Sequence, residues 1–110
     1  MAFVAGTSDG VLNGTTPVTI VPAPDINTRR VVKTIFVGNV DTASVTLTVR
    51  VNNNGAVRRI EPAKSVAQNG TWTLPYPIVL DSTLKKMEAL LAGPHATNAP
   101  EFVTGWADES

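Results

Sequence analysis

Apolar and polar residues alternate most regularly between residues 42 and 51. Ala43, Val45, Leu47, Val49 and Val51 fall on one face of an extended chain, and Thr42, Ser44, Thr46, Thr48 and Arg50 on the other. A period of two held over this length predicts a half-buried antiparallel strand and excludes an amphipathic helix. Asn52-Asn53-Asn54-Gly55 follows, and Asn-Gly between apolar runs is a strong hairpin signal. The return strand is expected over residues 56–60, ended by Pro62. Residues 29–39 are apolar on both faces, the odd one with Val31, Ile35 and Val37 and the even one with Val32 and Phe36. Such a strand is central, or is covered on its second face by another element or subunit.

The remaining segments are shorter. Val18 to Val21 alternates between Pro17 and Pro22, as an edge or abruptly ending strand does. Ser65-Val66-Ala67 predicts a short strand before a second hairpin turn at Asn69-Gly70. Trp72, Leu74 and Tyr76 are expected to point inward, and Ile78-Val79-Leu80 reads as a buried strand. Glu101 to Trp106 closes the chain as a strand. Residues 82–92 are ambiguous. Leu84, Met87 and Leu91 have helical spacing before Gly93-Pro94, and local signals favour a helix. As a strand, Met87, Ala89 and Leu91 share one face, with Glu88 and Leu90 on the other. Residues 1–14 read as an N-terminal arm with turn signals at Asp9-Gly10 and Asn13-Gly14. Its apolar Phe3, Val4, Val11 and Leu12 either cover the domain's own sheet edge or reach a neighbouring subunit.

Composition points the same way. Valine and threonine supply 15 and 14 of the 110 residues, and Gly and Pro number 8 each. β-Branched residues suit a pleated surface, and Gly and Pro suit tight turns. The expected fold is all-β: one antiparallel sandwich domain over residues 15–110, Ig-like or jelly-roll-like, with seven or eight short strands.

Charge and reactive groups narrow the function classes. Nine basic and nine acidic residues cancel, which argues against a nucleic-acid binder. There is no cysteine and a single histidine, His95. A disulfide framework, a Cys-ligated metal and a Cys nucleophile are excluded. No G-x-S-x-G elbow accompanies His95, which reads as a surface loop residue. The carboxylates show no metal-loop spacing, so no cofactor or metal is expected. Arg29-Arg30 and Arg58-Arg59 are adjacent in predicted strands, where side chains point to opposite faces. Each pair either sits at a strand end or forms a salt bridge to a neighbouring subunit. Trp72, Tyr76 and Trp106 are either core residues or a stacking platform for sugars. No apolar run approaches the roughly 20 residues needed to cross a bilayer, and the first residues lack the basic start of a secretory signal.

The order of segments resembles that of small β-sandwich virion proteins of tailed bacteriophages, which decorate heads or build necks and tails. The resemblance rests on the arm, Arg29 to Asn39, Asp41 to Val49, the Asn54-Gly55 hairpin, Pro77 to Asp81, Leu84 to Leu91 and Phe102 to Asp108. It implies a strand rather than a helix near residues 84–92, and no catalytic residues. The expectation is a non-enzymatic structural protein, made in the host bacterial cytoplasm and located in the virion. It would be a homo-oligomer, with a trimer as the candidate form, that binds major capsid or tail proteins. Capsid decoration or cementing is the first reading. A tail or baseplate protein, or a carbohydrate-binding module, is the alternative. Candidate interface residues are Phe3, Val4, Val11, Leu12, Arg29, Arg30, Arg58 and Arg59. No nucleic acid and no membrane is expected as a partner.

Overall fold

The computed structural model describes residues 3–109, and the outermost residues of the arm and of the acidic tail lie outside them. The described residues form nine strands: β1 (Phe3–Val11), β2 (Val18–Val21), β3 (Arg29–Gly38), β4 (Val45–Asn53), β5 (Ala56–Val66), β6 (Thr71–Thr73), β7 (Ile78–Leu80), β8 (Lys85–Leu91) and β9 (Glu101–Glu109). Two antiparallel sheets face each other as a sandwich. One has the order β1-β9-β3-β6, with β7 also paired to β3, and the other the order β2-β8-β4-β5. The pairings nest: β1 with β9, β2 with β8, β3 with β6 and β7, and β4 with β5. A strand ribbon rolled up in this way is a jelly roll, which decides between the two sandwich types the sequence left open.

The alternating segment behaves as its pattern requires. Val45, Leu47, Val49 and Val51 enter the core between the sheets. They meet Val32, Ile35, Val37, Leu80 and Phe102 from the other sheet. The Asn54-Gly55 turn closes β4 onto β5 with both residues at positive φ, 53° and 96°, as a type I′ turn demands. Thr104 joins the layers: its buried hydroxyl donates to the Ile20 carbonyl of β2 at 2.8 Å.

Several readings are settled or corrected. The ambiguous segment at 82–92 forms strand β8, as the resemblance implied, and not the helix that local signals favoured. Met87, Ala89 and Leu91 are buried on one side, while Glu88 pairs with Arg50 of β4 on the other. Tertiary packing thus outweighs helix propensity. Pro62 does not end β5. It lies on an edge strand where a missing N–H is tolerated, and a bulge with Ala63 at φ 49° carries the strand past it. Asn69-Gly70 makes a turn, with Gly70 N–H donating to Ala67. It is not a hairpin, because it passes the chain from one sheet to the other. Asp9-Gly10 makes no turn and lies inside β1. Of the aromatic segment, Tyr76 points out rather than in, and Val79 of β7 is 41 % exposed.

The arm is strand β1, and its inward positions are small for a reason. Gly6, Ser8 and Gly10 lie opposite Trp106, Thr104 and Phe102 of β9. A Cβ on Gly6 would come within 2.8 Å of three atoms of the Trp106 ring, and one on Gly10 within 3.1 Å of Phe102. The large side chains of β9 therefore occupy the space that β1 leaves empty. Gly6→Val should displace the indole and cost about 1–3 kcal/mol, as overpacking typically does. Urea unfolding followed by tryptophan fluorescence should show the lower midpoint together with a red-shifted native spectrum.

Candidate functional site: an open sheet face and a pinned loop end

The two outer faces of the sandwich differ in chemistry. On the four-stranded sheet, Glu88 is buried under a cationic cluster. It accepts from Arg50 Nε at 3.0 Å and from Asn52 at 3.2 Å, with Lys86 at 3.5 Å. Burial pushes its carboxyl up, but the hydrogen bonds and the charges of Arg50 and Lys86 outweigh that and hold it below the usual value. On this face the buried carboxylate is satisfied within the sheet, while Arg59, opposite Arg50, stays exposed.

The outer face of the five-stranded sheet is made largely of small and apolar side chains, with Lys33 exposed at the β3 bulge. Register places Asp9, Val103, Phe36 and Thr73 in one row across β1, β9, β3 and β6. Ala5, Ala107, Val31 and Val79 form another row, ending on β7. Phe36 is 43 % and Val103 52 % exposed, and Val11 is exposed at the end of β1. Apart from Lys33, charges stand at the borders, with Asp9 and Glu101 toward one end and Arg29 and Glu109 toward the other. Exposed apolar residues gathered on one face, rather than scattered singly, mark an interaction surface. The doubly apolar pattern of residues 29–39 was the sequence signal for it.

The candidate interface residues divide. Val4 and Val11 are exposed, whereas Leu12 is buried in the core. Its N–H donates to Pro100 at 2.8 Å, which seats the β1–β2 turn inward, so Leu12 is unavailable to a neighbour. The side chain of Phe3 lies outside what the structure describes. Arg29 and Arg30 find acidic partners within the chain, on β9. Arg29 meets Glu109 at 2.6 Å, and Arg30 binds both Asp108 oxygens at 2.8 and 2.9 Å. Arg30 also donates to the Pro22 carbonyl and lies 4.6 Å from the Trp106 ring centroid. Arg58 and Arg59 stay exposed beside the β4–β5 turn.

The aromatic residues do not form a platform. Trp72 is buried, with its Nε1 donating to Glu61 at 3.1 Å. Trp106 is covered by Arg30 on one side and runs over Gly6. Tyr76 is exposed without them. The two indoles are spent on packing, so the sugar-stacking arrangement is absent from these positions.

One end of the sandwich gathers four connections: 12–17, 39–44, 67–70 and 92–100. Asn39 and Asp41, both buried, tie three of them together. Asn39 Nδ2 donates to Ala43, Val66 and Ala67, and its Oδ1 accepts from Asp41 N–H. The Asp41 carboxylate accepts backbone N–H groups from Ala96 at 2.7 Å, Thr97 at 2.8 Å, Asn98 at 3.1 Å and Thr42 at 2.8 Å. The donors at Ala96 and Thr97 hold its carboxyl far below the usual carboxylate range, against the opposing effect of burial. The fourth connection is attached by Leu91 N–H donating to Gly14. His95 sits half-buried in the same loop rather than on the open surface, with its Nδ1 buried. Sequence reasoning missed the role of Asp41, because nothing local distinguishes it from a solvated turn residue. Among the described residues no group of three His, Cys, Asp or Glu side chains is placed to hold a metal, and no helix is long and apolar enough to cross a membrane.

No protein-family model matches the chain, and no curated protein matches it in sequence. Its fold is similar to that of capsid chains of known structure. The chain of infectious bursal disease virus in derived T=1 particles superposes with a TM-score of 0.54 at 10 % identity, over 97 % of this chain and 30 % of that one. The VP2 subviral particle of the same virus gives 0.53 at 11 % identity, over 96 % and 32 %. A chain of the cyanophage Pam1 capsid asymmetric unit gives 0.52 at 17 % identity, over 97 % and 82 %. The protein thus spans about a third of the bursal disease virus chains but most of the cyanophage chain. At these identities the likeness is one of fold: a jelly roll of the kind used in viral capsids.

The Asp41 arrangement sets an acid dependence. Its carboxyl is depressed in the folded state, so its stabilisation is complete above the unfolded value of about 3.9 and is lost as pH falls below it. Asp41→Asn should melt several degrees lower at pH 7. The gap to the unaltered protein should narrow progressively as the buffer is taken from about pH 4 toward about pH 2, read by thermal scans at each pH.

Proposed function

We propose that this protein is a non-enzymatic structural component of a bacteriophage virion, a decoration or cement protein that stabilises the capsid through protein–protein contacts. The observation that carries this reading is the open face of the five-stranded sheet. It offers apolar area without a cleft of catalytic groups, opposite a face built around the charged cluster at Glu88. Similarity in fold to capsid chains supports the choice of a particle as its place of action, and the cyanophage chain supports a phage. Neutral net charge suits packing against protein neighbours. In this reading the protein acts as a homo-oligomer whose partners are itself and the major capsid protein.

A tail or baseplate position is the second reading, since the same surface serves any virion lattice. Binding to purified capsids decides between them. The protein should co-sediment with capsids of its phage that lack it and should raise their melting temperature. Phe36→Glu with Val103→Glu places two charges on the open face and should weaken that binding at least tenfold while leaving the circular dichroism spectrum unchanged. Binding to tails alone, or capsid binding indifferent to both charges, would overturn the decoration reading.

A further inference from the structure

The four edges of the two sheets are not treated alike. β2 is four residues long and bracketed by Pro17 and Pro22. β5 carries Pro62, the Ala63 bulge and the cations Arg58, Arg59 and Lys64. β6 and β7 are three residues each, separated by Pro75 and Pro77. Short strands, prolines, bulges and cations are the usual means of keeping an edge from pairing with another chain. β1 has none of them. It runs for nine residues in unbroken register against β9, without proline, lysine or arginine, and its one charge is Asp9.

We propose that β1 is the strand through which two copies of this chain join, antiparallel about a two-fold axis at Thr7. The two five-stranded sheets then become one. This rests on the reading that the protein assembles with itself. Only registers that bring like faces together keep the core side of the joined sheet on one side. Of these, the register centred on Thr7 alone pairs all nine residues of the strand.

The side chains agree with that register. On the core side Val4, 62 % exposed in the single chain, lies opposite Gly10 of the second copy, whose missing Cβ leaves it room. Gly6 lies opposite Ser8. On the outer side Asp9 lies opposite Ala5, so no like charges face each other, and Thr7 meets its own copy. An in-register parallel pairing would instead set Asp9 beside Asp9, which is unfavourable. The contact is isologous, as a two-fold interface requires. It also extends the outer face, because Ala5 continues the apolar row that includes Ala107 and Val31.

The absence of cysteine makes the test direct. Residues directly opposite in an antiparallel pair have Cα atoms about 4.5–5.5 Å apart, within disulfide reach. Under mild oxidation Thr7→Cys should convert to covalent dimer at least tenfold faster than Ala5→Cys or Asp9→Cys alone. Ala5→Cys mixed with Asp9→Cys should cross-link as a pair. Light scattering of the unaltered chain should give an even-numbered oligomer. An oligomer, a trimer included, whose Thr7→Cys thiols stay free would overturn β1 pairing while leaving capsid binding intact. A monomer whose β1 amides gain exchange protection only on capsids would assign the edge to a capsid subunit and also overturn it. Failure to bind capsids with rapid Thr7→Cys cross-linking would remove the decoration reading and keep the dimer.

Discussion

Three of the four loops at one end of this sandwich converge on two neighbouring polar side chains, Asn39 and Asp41, and the rest of the architecture depends on that convergence. Jelly-roll strands are connected mostly by crossings between sheets, so the loops must turn tightly without regular pairing of their own. Buried backbone groups in such turns are costly unless each finds a partner. Asn39 supplies both donor and acceptor, and Asp41 supplies a carboxylate that collects four N–H groups. A charge held by several backbone donors needs no cation beside it. The strands on either side of this end can then carry largely apolar inward faces, with Ser8 and the bonded Thr104 hydroxyl as exceptions.

The two sheets divide their labour. The four-stranded sheet closes its surface with an ionic cluster around Glu88. The five-stranded sheet leaves its surface open and keeps its ion pairs at the border, where Arg29 and Arg30 meet the last residues of β9. Arg30 is more than a partner for Asp108, since it also covers the Trp106 ring and reaches the Pro22 carbonyl. It fastens the end of β9 to the other sheet.

Much of the fold was legible because strand periodicity is a local property. Residues 42–51 and 29–39 announced their strands, and Asn54-Gly55 its turn. What was illegible depended on distant partners. Residues 84–91 carry helix formers, and only the cross-strand Arg50 and the apolar core make them a strand. Gly10 looked like a turn because the Phe102 ring that explains it lies 92 positions away. The interface list suffered likewise. Leu12 reads as an arm residue, on the sheet edge or on a neighbour, until the core beneath it is seen, and the choice between core and sugar platform for Trp72 closes only when Glu61 is found on its nitrogen. The open face was signalled better, because a strand apolar on both sides states in its own residues that something must cover each.

The place of β9 has a consequence for how the sheet closes. It lies inside its sheet, between β1 and β3, which pair with β9 and not with each other. Both pairings join segments distant in sequence, and the entropy of closing such loops is lost before the contacts reward it. The five-stranded sheet therefore closes only when β9 docks. The open face and the β1 edge exist only once that strand is in place, so a single docking event creates both.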